Sequence, residues 1–159
     1  MGTIAYRLVR DDLMLFMAGN LAPSEGEWSE YTLLLATAAE RLRPLNRTLR
    51  FIAIVDDSPP NAKQRAAIID ALGGLKSKTA VVTSSLLARN LITVFSWLGL
   101  QLKGFAPSDL DGVGTYLDLP PAYLEQAVDA ARALSPTIGG VRSFEAAERA
   151  RYGRVSPRT

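Results

Sequence analysis

Five consecutive residues, Phe51-Ile52-Ala53-Ile54-Val55, are apolar, and Asp56-Asp57-Ser58-Pro59-Pro60 follows at once. A half-exposed strand alternates apolar and polar side chains. A run without alternation fits a strand covered on both faces, as at the centre of an α/β sheet. The two prolines remove backbone donors and restrict φ, so neither strand nor helix continues through them. A helix then starts near Asn61, with Ala62, Ala66, Ile69 and Leu72 predicted on one face, and Gly73-Gly74 ends it. Strand, acidic turn and helix, in this order, mark where open α/β sheets hold their ligands and partners.

The flanking chain extends the same pattern. Thr3 to Val9 and Leu13 to Ala18 are apolar-rich and separated by Arg10-Asp11-Asp12, which predicts a β-hairpin. Ser24 and Glu27 form a capping box for a helix from about Glu25 to Arg43. Its apolar face is Trp28, Tyr31, Leu35, Ala38 or Ala39, and Leu42, and Pro44 stops it. Lys78 to Thr83 reads as the next strand. A helix capped by Ser84 and Ser85 would follow, with Leu87, Leu91, Val94, Phe95 and Leu98 inward, and then a short strand over Leu100 to Phe105. Ser108 is expected to cap a short helix through about Leu119, and Pro120-Pro121 to restart a helix that runs to about Leu134. Ser135 to Gly140 has linker composition, Ser143 to Tyr152 reads as another amphipathic helix, and the last seven residues as disordered. The expected fold is α/β. A mixed sheet of about five strands begins with an antiparallel hairpin and continues in parallel βα units, with helices packed against it. Residues 1–134 form the domain, and 135–159 a linker, a short helix and a basic tail.

Composition narrows the chemistry. The 159 residues suffice for one domain with its own core. There is no Cys and no His, which excludes disulfides, thiolate zinc sites, cysteine nucleophiles and histidine-based catalysis. The net charge is +2, and residues 142–159 carry five Arg against Glu145 and Glu148. A basic tail on a near-neutral body does not predict nucleic-acid binding beyond weak contacts of that tail. No apolar run reaches membrane-spanning length, and the N-terminus MGTIAYRLVRDD has no signal-peptide core, so a cytoplasmic location is expected.

From Ile4 to Leu119 the element order, with a Trp-bearing first helix after the hairpin, resembles the STAS domain. That family includes bacterial anti-sigma-factor antagonists and the cytoplasmic tails of sulfate transporters. Its signature turn is Asp-Ser-Ser/Thr-Gly after the third strand, and a partner kinase phosphorylates a Ser or Thr there. Asp57 and Ser58 match the first two positions, whereas Pro59 stands at the usual phosphoacceptor and Pro60 at the glycine. The resemblance implies a non-catalytic regulatory module that binds a protein partner, without cofactor and without the usual phosphate switch. It leaves a homodimer open. The stretch IVDDSPPNAKQRAAIIDAL also resembles the opening of a response-regulator receiver. A receiver, however, needs a further strand ending in a phosphoacceptor Asp, and Asn61 to Lys78 has no room for it.

Partner contacts are therefore expected from Asp56, Asp57, Ser58, Pro59, Pro60 and Asn61, and from Ser84, Ser85 and Arg89 across the rim. Ser58 is the one hydroxyl left in the turn for a kinase, and no phosphate is expected on it. The alternative is a small nucleotide- or metal-binding protein or enzyme that uses Asp56 and Asp57, with Lys63 and Arg65. Two adjacent carboxylates without a third oxygen ligand make a weak cation site. The ordinary role of such a residue is to accept hydrogen bonds from a turn or a helix N-terminus. Helix capping is likewise the ordinary role of Ser84 and Ser85.

Overall fold

The computed structural model describes residues 1–57, 60–85, 92 and 100–153. It is an α/β fold on a five-stranded mixed sheet whose strands lie in sequence order. Strands β1 (Ile4–Arg10) and β2 (Leu13–Ala18) form the antiparallel hairpin, with a register shift between Leu8 and Arg10. Strands β3 (Leu49–Val55), β4 (Ser77–Val82) and β5 (Gln101–Phe105) then add parallel to β2 and to one another. The continuous apolar run is the central strand, and it is covered on both faces. Ile52 and Ile54 enter one core cluster, and Leu49 and Phe51 enter the other.

Helices α1 (Glu25–Leu42) and α2 (Ala62–Leu72) cover the Leu49/Phe51 face. The Ser24 hydroxyl accepts from the Glu27 amide, and the Glu27 carboxylate accepts from the Ser24 amide, which forms the capping box. The same carboxylate accepts from the Thr3 amide at 2.8 Å and the Thr3 hydroxyl at 2.9 Å, tying the start of the chain to α1. These bonds, the Thr3 amide foremost, hold the Glu27 pKa down at about 2. Ala38 and Ala39 are both buried, and Pro44 falls in a 3-10 turn, Arg43–Leu45, that ends α1. The indole nitrogen of Trp28 donates to the Gln64 carbonyl at 3.1 Å, so α1 grips α2.

Helix α2 is rotated from its expected setting. Ala62 and Ala66 are exposed, and Ala67, Ile68, Ala71 and Leu72 pack inward. Alanine is spread evenly around this helix, and Ile68 and Ile69 stand side by side with equal bulk. Its periodicity is therefore nearly degenerate, and packing against α1 and the sheet selects the face.

The opposite face is covered by α3 (Leu110–Tyr116), α4 (Pro121–Leu134) and α5 (Arg142–Tyr152). Asp109, not Ser108, caps α3: its carboxylate accepts from the Gly112 amide at 3.0 Å. The segment that reads as linker is a 3-10 turn, Ser135–Ile138, with Ser135 buried and its hydroxyl accepting from the Val141 amide. Gly139 and Gly140 follow at φ 81° and 90°, a region that favours glycine, and turn the chain back onto the sheet. Helix α5 is thereby docked: Phe144 and Ala147 are almost wholly buried in the same cluster as Ile52 and Ile54. Among the described residues, no helix is long and apolar enough to cross a membrane.

Candidate functional site at the carboxyl ends of the parallel strands

The site is built where β3 and β4 end. The Asp56 amide still donates to the Ala18 carbonyl at 3.0 Å, so the residue is held in line with the strand although its side chain has left it. That side chain is buried. One carboxylate oxygen accepts from the Arg142 amide and the other from the Ser143 amide, both at 2.9 Å. These amides open α5, whose own N-cap, Val141, has no side chain able to accept a hydrogen bond. Asp56 thus supplies the cap for a helix more than eighty residues away, with the charge sign that a helix N-terminus stabilises.

Ser143, wholly buried, extends the tie to the next strand. Its hydroxyl donates to the Val55 carbonyl at 2.9 Å and accepts from the Ser84 amide at 3.2 Å. Because that proton is already used, the Ser84 hydroxyl is the donor in the longer 3.4 Å contact between the two side chains. The Ser85 amide closes on the Thr83 hydroxyl at 3.0 Å, and Thr83 is buried. The strand order has no reversal that would open a crevice at this end, and the α5 N-terminus stands against the ends of β3 and β4.

Of the residues singled out from the sequence, Asp56 and Ser84 meet directly across Ser143, while Asp57 is exposed. The Pro60 carbonyl accepts from the Arg65 guanidinium at 2.8 Å. Asn61 caps α2 in a reciprocal box with Gln64, at 2.8 Å and 2.9 Å. Lys63 pairs with Glu25 on the surface. Ser58, Pro59 and Arg89, together with the helix expected after Ser85 apart from residue 92, lie outside the described residues. Arg142 and Ser143 were not among the sequence-derived candidates. Their signal was a helix start without a capping side chain, Gly139-Gly140-Val141, paired with an aspartate at the end of a buried strand.

A second concavity, of about 500 Å³, lies among α3, α4 and α5. Its charged lining is internally paired. Arg151 binds Glu125 through two nitrogens at 2.6 Å and 3.1 Å and Asp111 at 2.9 Å, and the Tyr152 hydroxyl donates to Glu125 at 2.8 Å. The Arg151 bonds, then that of Tyr152, hold the Glu125 pKa below the usual carboxylate range. Among the described residues, no cluster of three or more acidic side chains is arranged to hold a metal. No protein-family model, curated protein or solved structure matches the chain.

Proposed function

We propose that this chain is a non-catalytic, STAS-like regulatory module that binds a protein partner through the rim at the carboxyl ends of β3 and β4. The reading draws its main support from the double engagement of Asp56: both oxygens are committed to α5 amides. The competing nucleotide or metal reading needs Asp56 and Asp57 to act together. With Asp56 so committed, Asp57 is left as the exposed carboxylate of the pair. The contact surface then consists of Asp57, Pro60, Asn61 and Ser84 beyond the carboxyl ends of β3 and β4. The module acts in the cytoplasm and binds constitutively. A phosphate on Ser58 would put about −1.5 to −2 charge beside two aspartates in sequence, an unfavourable like-charge cluster.

The test compares partner capture by the wild type and by Asp57→Arg, with melting curves confirming that both are folded. Loss of a captured partner in the variant is expected. A saturable thermal shift of the wild type with one nucleotide or one divalent metal would overturn the reading, since a specific ligand stabilises the native state by mass action. Intact-mass measurement of protein from its native host tests the constitutive part: stoichiometric phosphate on Ser58 would restore a switch.

A further inference from the structure

The sheet face under α3 to α5 is unevenly covered. Helix α4 packs over β1 and β2, while β4 and β5 meet α3 at its Tyr116 end. Gln101 and Lys103, on the same face as their register partners Lys78 and Ala80, are exposed on the outermost strand. The Lys78 ammonium lies 4.5 Å from the Tyr116 ring centroid, and that of Lys103 lies 5.8 Å from the same centroid and 5.4 Å from that of Phe105. Two cations therefore converge on one aromatic ring.

Neither has a counter-charge within ion-pair distance among the described residues. Among the described residues, ion pairs engage Arg47, Arg50, Lys63, Arg132 and Arg151, and neither Lys78 nor Lys103 takes part in one. Arg50, which pairs with Lys78 across the strands, shows the contrast: Asp12 lies 3.2 Å from it and the Leu117 carbonyl accepts from it at 3.0 Å. A lysine on an edge strand by itself serves to discourage strand pairing. Lys78 stands on the interior strand β4, where that need does not arise. The Lys78 and Lys103 ammonium groups lie over the Tyr116 ring, so the surface offers charge beside the ring.

We propose that the outer strip of this face, formed by Lys78, Gln101 and Lys103 beyond the buried Ala80, Val82 and Phe105, is a docking surface for an acidic, extended protein segment, whose carboxylates pair with Lys78 and Lys103 beside Tyr116. It lies apart from the rim around Asp57 and does not depend on the reading of that rim.

The experiment measures fluorescence anisotropy of a labelled glutamate-rich peptide with the full chain. The wild type should bind it saturably, and more weakly as salt rises. The double variant Lys78→Glu, Lys103→Glu should lose about tenfold or more in affinity, because like charges then face each other. This variant keeps a charge on the edge strand, so its solubility should not change. The milder Lys78→Gln, Lys103→Gln pair gives the same readout should the reversal perturb folding. Arg7→Glu, Arg41→Glu changes net charge equally at two other exposed positions and should bind as the wild type does. Absence of binding, or equal loss in the Arg7/Arg41 variant, would overturn the proposal. So would tighter binding of a single-stranded oligonucleotide that the lysine variants abolish.

Discussion

Asp56 shows how one side chain is assigned by its surroundings. At a strand end beside a second aspartate it has the form of a ligand for a cation. Buried, with a backbone amide on each oxygen, it is a helix cap. Asp56→Ala should cost about 2–4 kcal/mol, because it leaves the buried Ser143 amide and the part-buried Arg142 amide without acceptors and removes a charge-assisted cap. Denaturant unfolding reads this directly, and a loss within about 0.5 kcal/mol, the range of surface changes, would contradict the assignment. Glu27 provides a pH signature. Its folded pKa of about 2 lies below its ordinary value of 4.5, so its contribution is complete above that value and disappears as pH falls towards the folded pKa. The stability gap between the wild type and Glu27→Gln should therefore narrow on acidification through this window, as followed by chemical denaturation at several pH values. A gap that widens there would refute it.

At the scale of elements, β3 and α5 support each other. Ile54→Ala should cost roughly 2–5 kcal/mol, because a central strand covered on both faces cannot collapse around the lost volume. Phe144→Ala should cost about 3–5 kcal/mol for the same reason, although it sits on the last helix of the chain. Equilibrium unfolding of both variants measures this. A cost below about 0.5 kcal/mol for Phe144→Ala would mean that α5 is not part of the core.

Across the whole molecule, two apolar layers share one sheet, and the second draws on α3, α4 and α5 as well as on strands from β1 to β5. Helix α5 is bound at its N-terminus to the ends of β3 and β4 and along its length to this layer, so it has little to keep it folded alone. The chain should unfold in one cooperative transition, with far-UV and near-UV signals coincident. Hydrogen exchange should protect the Arg142 and Ser143 amides as well as those of β3. Early exchange at these two amides, ahead of the sheet, would show that α5 opens as a separate unit.

Among the described residues the strands, their order and the longer helices were legible in the sequence because the signals for them are local, whereas the 3-10 turn Ser135–Ile138 was not. The unbroken run Phe51–Val55, the Ser24/Glu27 box and Pro121 at a helix start each act within a turn or two of chain. The antiparallel hairpin followed by parallel strands was legible for the same reason. Faces and meetings were not. The setting of α2 depended on which of two adjacent isoleucines, Ile68 and Ile69, and which of several alanines met the core. The docking of α5 depended on a Gly-Gly turn whose direction no periodicity encodes. The bonds from Arg142 and Ser143 to Asp56, and the gathering of Lys78 and Lys103 around Tyr116, join residues far apart in sequence. Hydrogen bonds and charge contacts depend on distance in space. The candidate site therefore took its chemistry from tertiary structure, while the sequence determined only the strand end on which it is built.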